Sequence, residues 1–310
     1  MSKPPQGLVL TVFRGGCAVV FEDRVVELRL IGRHAHSEVA LAVGDDVSFD
    51  PERGIVLELL PRRTRLSRLR PLAGRRVRPK REEQVIAANM DLLGIVVSVS
   101  HPPFRAGLVD RFALAARAGG LEAILIVNKI DLLEGDPLPD EVKGCAAAMS
   151  LFPVSAHTGD GLAPLREHLR GTRTVLGGHS GVGKSSLLNA LEPELRIEVG
   201  ALSTAGRGSH TTTRAVLFRL PGDALVVDTP GIRELETGVL EPELVIGIYP
   251  EIERAAQACR FRDCRHDREP GCGVRDAVEQ GSIPASRYAS YRRLVDEVER
   301  EARTTARRGR

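Results

Sequence analysis

The stretch Gly178-His179-Ser180-Gly181-Val182-Gly183-Lys184-Ser185 carries the spacing G-x4-G-K-[ST]. It follows the apolar strand Thr174–Leu176 and opens a helical segment, Ser185–Leu191. A strand, a glycine-rich turn and a helix N-terminus in that order make a phosphate cradle. The glycines let backbone N–H groups turn inward, and the helix end lies behind them. Residues Gly177 to Ser185 are therefore expected to wrap the phosphates of a nucleotide. Lys184 should reach the β- and γ-phosphates, and Ser185 should place its hydroxyl on Mg²⁺.

Further from the cradle, apolar strands Leu93–Ser98, Ala123–Val127 and Leu151–Val154 alternate with helical segments such as Leu108–Arg117 and Leu162–Leu169. This rhythm predicts a parallel sheet flanked by helices. Two further motifs sit where such a sheet binds ligands, at the carboxyl ends of strands. Asn128-Lys129-Ile130-Asp131 follows one strand and Ser155-Ala156 another. An Asp carboxylate accepts from guanine N1–H and the 2-amino group together, and adenine lacks both donors. Asp131 is the expected guanine reader, with Asn128 bracing the loop and Ser155-Ala156 touching guanine O6 through the backbone. Asp228-Thr229-Pro230-Gly231 follows a third strand, Leu225–Val227. Asp228 should hold Mg²⁺ through water, and the Gly231 N–H should sense the γ-phosphate.

The order of these motifs is unusual. The base-reading motifs at 128 and 155 precede the phosphate loop at 178, the reverse of most GTPases. Every strand end still reaches one edge of the sheet, so the site assembles in either order. The change is that the segment after Gly231 runs directly into the C-terminal part of the chain.

The N-terminal residues read differently. Short strands are expected at Gly7–Val12, Cys17–Phe21, Arg24–Leu30, Asp46–Phe49 and Ile55–Leu60, with turn chemistry at Gly15-Gly16 and Asp50-Pro51. Five strands in this length fit a small barrel, of the oligonucleotide-binding type or the SH3-like type. Arg62 to Arg81 then holds ten Arg or Lys and no acid. Removing those ten from the net charge of +3 leaves −7 elsewhere. Concentrated basic charge points to nucleic acid; a solvated linker, or docking on the acidic remainder, is the alternative.

Five cysteines are present, and three crowd into Cys259-x4-Cys264-x-His266-x5-Cys272. Three thiolates and an imidazole suit a closed, tetrahedral, structural Zn²⁺ site. The loop between them lacks helical or strand periodicity, so a metal crosslink would order it. Helical segments flank it, and a final helix is expected from about Pro284 into a basic tail. The chain has no stretch approaching 18 consecutive apolar residues, which predicts no membrane span. Neither does the N-terminus have signal-peptide character, so a cytoplasmic protein is expected.

Together, the permuted order, the run Gly178 to Asn189, Gly206-Arg207-Gly208-Ser209-His210-Thr211-Thr212-Thr213 and Asp228-Thr229-Pro230-Gly231-Ile232-Arg233-Glu234 resemble the YjeQ-type GTPases, the ribosome small-subunit-dependent GTPase A family. The resemblance spans the chain. It implies an N-terminal OB-like RNA-binding barrel with a basic linker over residues 1–82. A circularly permuted α/β GTPase over 83–238 and a helical zinc-binding domain over 239–310 follow. It places switch I in Gly206–Thr213, with Thr212 as the Mg²⁺-sensing threonine, and matches all four Cys/His positions to one zinc per chain. It further implies a monomer that binds the 30S subunit and 16S rRNA late in maturation and uses GTP, releasing GDP. Hydrolysis is stimulated by the subunit and coupled to release.

One position departs from many GTPases, which carry a water-positioning Gln directly after the Asp-x-x-Gly glycine. Here it is Ile232, whose side chain cannot bond water. His210, two residues before Thr212, is the internal candidate for orienting water or acting as base; contacting RNA or packing the switch is its other role. Two rival functions remain: a metabolic phosphate-loop enzyme, and a constitutive RNA-binding protein with structural GTP.

Overall fold

The computed structural model describes residues 3–31, 40–71, 81–195, 216–228 and 242–308. Expectations for His210, Thr212, Gly231 and Ile232, and residues 72–80 of the basic stretch, fall outside these.

The N-terminal strands are β1 (Gln6–Phe13), β2 (Gly16–Phe21), β3 (Arg24–Arg29), β4 (Asp46–Asp50) and β5 (Ile55–Leu59). They close a barrel in the order β1-β2-β3-β5-β4. Inward alternation supplies its core: Val9, Cys17, Val19, Leu28, Val47, Phe49 and Val56. Strands β3 and β5 pair in parallel, which decides between the two barrel types in favour of the oligonucleotide-binding one.

The basic stretch does not simply lead out of the barrel. Its two ends form strands β6 (Arg65–Pro71) and β7 (Arg81–Ala88), paired antiparallel from Arg65 opposite Ala88 to Pro71 opposite Arg81. Residue 82 therefore falls within a strand. Several basic residues are also engaged inside the chain. Arg62 forks onto the buried Asp45 carboxylate at 2.7 and 2.8 Å, and Arg65 meets Glu83 at 3.1 Å.

The central sheet contains β8 (Leu92–Ser98), β9 (Glu122–Asn128), β10 (Ser150–Pro153), β11 (Arg173–Gly177), β12 (Val216–Leu220) and β13 (Ala224–Asp228). Its order is β10-β9-β8-β11-β13-β12. All neighbours are parallel except the edge pair β12–β13. Between the strands run α1 (Ala106–Gly119), α2 (Asp140–Cys145), α3 (Leu162–Leu169) and α4 (Lys184–Leu191). Alternation along the buried strands divides the core in two. Leu92, Val96, Ile124 and Ile126 face α3 and α4 with Leu165, Leu169, Leu187 and Leu188.

The opposite face, with Leu93, Ile95, Val97, Leu125 and Val127, meets α1 through Phe112 and Leu114. The same cluster continues into α5 (Pro250–Ala256), α6 (Gly273–Glu279) and α7 (Ala285–Arg308) through Ile252, Val274, Leu294 and Val298. The C-terminal helices thus share the core of the sheet, although the sequence showed no evident apolar pattern around the cysteines. On α7, Tyr291, Leu294, Val295 and Val298 form an i, i+3, i+4, i+7 stripe. Among the described residues, no helix is long and apolar enough to cross a membrane.

Candidate nucleotide site and metal cluster

Parallel pairing carries the ends of β8, β9, β10, β11 and β13 to one edge of the sheet. The phosphate loop leaves β11 there. Gly178 has φ +148°, and a Cβ on it would meet the Val96 carbonyl oxygen; Gly183 has φ +93°, and a Cβ would meet Asn128 Nδ2. Both positions exclude a side chain by conformation and by space. Val182 is buried among the leucines of α4 and so anchors the loop from below. The Lys184 ammonium donates to the carbonyls of Gly178 at 2.7 Å and His179 at 3.1 Å. It is folded back under the loop, and His179 Nδ1 lies 2.9 Å from the Ser180 carbonyl.

Asn128 ties three loops together. It is 1% exposed. Its Nδ2 donates to the Val182 carbonyl at 2.9 Å, and its Oδ1 accepts from Lys129 N–H at 2.8 Å and Ala156 N–H at 3.0 Å. Asparagine has a donor and an acceptor on one rigid amide; Asp at this position would lose the donor side of the brace, and Leu both sides. Ile130 N–H donates to the Val154 carbonyl at 3.2 Å. The buried Ser155 hydroxyl donates to Asp131 Oδ1 at 2.5 Å and accepts from the N–H groups of His157 and Thr158. That bond fixes the orientation of the Asp131 carboxylate.

Lys129 is in the left-handed region, φ +66°. Its ammonium donates to the Gly181 carbonyl at 2.8 Å and to the His101 carbonyl. The second contact was not read from the sequence. It comes from the turn after β8, where Ser98 Oγ holds the Ser100 and Pro102 carbonyls at 3.0 and 2.6 Å. The signal for it was the position of Ser100-His101-Pro102-Pro103 at the ligand edge of a strand.

Asp228 ends β13 opposite Leu176 of β11, next to the phosphate loop. Burial pushes its carboxyl pKa up, while the Lys184 charge and a hydrogen bond from Ser185 pull it down. Its Oδ1 is buried without a hydrogen-bond partner among the described residues. A hydroxyl and a carboxylate with one unsatisfied oxygen are hard donors suited to a hydrated Mg²⁺.

Cys259, Cys264, His266 and Cys272 come together, with their ligand atoms all within 4.8 Å of one another. Cys259 follows α5 and Cys272 caps the start of α6. His266 Nδ1 lies 3.4 Å from Cys259 Sγ and 3.5 Å from Cys272 Sγ, and the two sulfurs are 4.0 Å apart. With metal–sulfur bonds of about 2.3 Å, tetrahedral ligand edges are about 3.8 Å, so the four residues fit one tetrahedral metal ion. Burial lowers the His266 pKa, which favours the neutral imidazole a metal requires. Burial, then Cys272 and Cys259, pushes the Cys264 thiol up to about 12; thiolates packed this closely need a cation. Cys17 and Cys145 are buried elsewhere.

Two side chains support the cluster from outside. Tyr288 on α7 donates to the His266 carbonyl at 2.5 Å. The Glu269 carboxylate accepts from the N–H groups of Arg265, Asp267 and Arg268 at 3.1, 2.9 and 3.1 Å.

Comparison with known proteins agrees with this geometry. The family described as RsgA GTPase matches residues 60–238. The small ribosomal subunit biogenesis GTPase RsgA of Chlorobaculum parvum is 41% identical over 269 residues, covering 84% of this chain and 86% of its own. Its namesake from Gemmatimonas aurantiaca is 38% identical over 274 residues, covering 85% and 86%. Among solved structures, YjeQ from Thermotoga maritima superposes with a TM-score of 0.74 at 31% identity, covering 96% of this chain and 99% of its own. YloQ, a circularly permuted GTPase, does so with 0.70 at 28% identity, covering 96% of each chain. With the family matched over more than half its length and relatives near 40% identity over most of it, this chain belongs to the RsgA GTPase family.

Proposed function

We propose that this chain hydrolyses GTP to GDP and phosphate in the biogenesis of the small ribosomal subunit, the role its relatives are named for. The observation that carries the nucleotide chemistry is Asn128, whose one amide joins the phosphate loop, the Asp131 loop and the Ser155 loop. A nucleotide bridging phosphate and base subsites would meet a pre-organised surface, which lowers the cost of binding.

In this reading Gly177 to Lys184 hold the phosphates, with Lys184 placing its charge on the β- and γ-oxygens. Asp131 reads guanine, and the Ser155-Ala156 backbone approaches its O6. Ser185 and Asp228, with Thr212 and Gly231 from the switches, surround the metal position. Mg²⁺ bound there would neutralise charge on the phosphates. His210 orients the attacking water once the subunit docks it. The Cys259, Cys264, His266 and Cys272 set takes one structural Zn²⁺.

The partner in this reading is the 30S subunit through its 16S rRNA, met by the barrel and by the basic hairpin. The subunit stimulates hydrolysis, and hydrolysis releases the protein. The protein works as a cytoplasmic monomer with no membrane contact. Its division into barrel with basic segment (1–82), permuted GTPase (83–238) and zinc-binding helices (239–310) assigns RNA contact, turnover and metal to successive parts.

The test is GTP hydrolysis measured alone, with 30S subunits and with 50S subunits, at two salt concentrations. Stimulation by 30S only, weakening steeply with salt because RNA contacts release counterions, is expected. Equal rates in all three mixtures would overturn the proposal.

A further inference from the structure

Five large hydrophobic side chains are exposed among the described residues, and only one is aromatic: Phe261, at 41%. It lies between Arg260 and Arg262, both exposed. The Arg260 guanidinium sits 5.5 Å from the ring centroid. Neither arginine forms an ion pair with a described residue, in contrast to Arg265 and Arg268 further along the loop.

Hydrogen bonds within the loop hold the backbone that presents this triplet. Arg260 N–H donates to the Gly271 carbonyl at 2.9 Å, and the Phe261 carbonyl accepts from Cys264 N–H at 3.3 Å. The Glu269 carboxylate gathers three further N–H groups of the same loop. An exposed ring on a fixed backbone loses little conformational freedom on binding.

A lone surface apolar residue is ordinary. An aromatic ring between two uncommitted guanidinium groups is a more specific surface. Bases stack on aromatic faces and guanidinium planes, and the same arginines pair with phosphates. With Arg260 over one face of the ring, a base has the other. We propose that Phe261, flanked by Arg260 and Arg262, is a stacking platform for an unpaired RNA base. This rests on the small-subunit reading above, and it adds a contact point on the metal-cluster loop, remote in sequence from the barrel and the basic hairpin. A protein groove is the competing occupant. The Arg-Phe-Arg order favours RNA, because a protein groove would gain from the ring but not from two flanking positive charges unless it were acidic.

The chain contains no tryptophan, which makes the test direct. F261W places a single indole at the proposed platform. Its fluorescence is followed on titration with a single-stranded oligoribonucleotide, with heparin as a polyanion without bases, and with 30S subunits whose binding is scored in parallel by cosedimentation. Quenching by the single strand and by 30S, but not by heparin, is expected, because stacking requires a base. F261A should bind the single strand about tenfold more weakly, while F261W keeps wild-type affinity. Unquenched indole on cosedimented 30S overturns the platform and leaves the small-subunit reading intact. If F261A then also weakens cosedimentation, the ring docks on protein instead. Equal quenching by heparin also overturns it, since charge alone would suffice. Failure of the wild-type chain to cosediment with 30S overturns the small-subunit reading itself, and the platform then stands or falls on the oligoribonucleotide arm. Should F261A disturb the loop, F261W fluorescence decides alone.

Discussion

Arg287 of α7 donates to the Asp110 carboxylate of α1 at 3.1 Å, across 177 positions of sequence. Both are buried, at 7% and 4% exposure. Arg287 Nε also donates to Glu251 of α5 at 2.8 Å, and its guanidinium lies 4.2 Å over the Tyr249 ring. One cation thus holds two carboxylates between the GTPase sheet and the C-terminal helices. Arg287→Met should cost about 3–5 kcal/mol, because it leaves buried carboxylates without their cation. Burial already pushes the Asp110 carboxyl pKa up, with Arg287 opposing. Asp110→Asn added to Arg287→Met should therefore restore part of the loss. Urea midpoints of the two single variants and the double check the coupling; additive losses would mean that the pair does not interact.

Asp228 should show a trade-off between stability and turnover. Its folded-state pKa is raised above 3.8, chiefly by burial. The ionised form therefore weighs against folding, and that cost appears as pH rises through the folded pKa. Asp228→Asn should raise the Tm of the nucleotide-free protein at neutral pH by roughly 2 °C or more. It should also lower GTP turnover more than tenfold. The Tm gap should shrink as pH falls below the folded pKa. A variant less stable than wild type at pH 7 would refute the sign.

Base selection should follow Asp131. Its Oδ1 is held by the Ser155 hydroxyl, so the proposed guanine reader is one fixed carboxylate. Asp131→Asn should move preference from guanosine toward xanthosine nucleotides by about 100-fold, since xanthine replaces the 2-amino donor with a carbonyl. Competition binding measures the ratio, and an unchanged ratio removes Asp131 from the base site.

Metal analysis should find one Zn²⁺ per chain. Cys17→Ser and Cys145→Ser should keep it and Cys264→Ser should lose it. Glu269→Gln should release it faster to a chelator, because backbone N–H groups, its own first and then those of Asp267, Arg265 and Arg268, hold the carboxylate pKa down at about 2, and a neutral amide accepts more weakly. Chelation should open the loop between residues 259 and 272 to protease while α5 and α7 persist, since those helices lie in the sheet's own core. Simultaneous loss of the helices would show that the metal, not the core, carries them.

His210→Ala should reduce 30S-stimulated hydrolysis about 100-fold, within the range of general acid–base effects, and spare GTP binding and cosedimentation with 30S. Near-normal stimulated turnover would place the catalytic group elsewhere. Loss of 30S binding would make His210 an RNA contact.

The features legible in the sequence were those fixed by short-range chemistry. Gly178, Gly183 and Lys184 are spaced by the turn they make, and the barrel strands alternate over five to eight residues. The parallel strands were visible as apolar runs such as Leu93–Ser98. The β6–β7 pairing was not, because Arg65, Arg68, Arg70 and Arg81 break the apolar alternation of its strands, and nothing local to either strand sets Arg65 opposite Ala88. The α7 stripe at Tyr291, Leu294, Val295 and Val298 could have been read, but it is narrow within a helix dominated by charge. The Arg287–Asp110 contact had no local signature, since each side chain alone reads as an ordinary solvent-facing helical residue.

The shared core also sets an order of events during synthesis. Leu93, Ile95 and Val97, together with α1, are translated long before α7, yet Leu294 and Val298 close over the same cluster. The Arg111–Glu297 pair across that seam spans 186 positions. A nascent chain that has reached residue 240 therefore carries a finished phosphate loop and a sheet with one face only partly covered. Contacts this distant form slowly, and an apolar face waiting for its cover invites chaperone capture or aggregation. A factor concerned with making ribosomes is thus itself exposed while still attached to one.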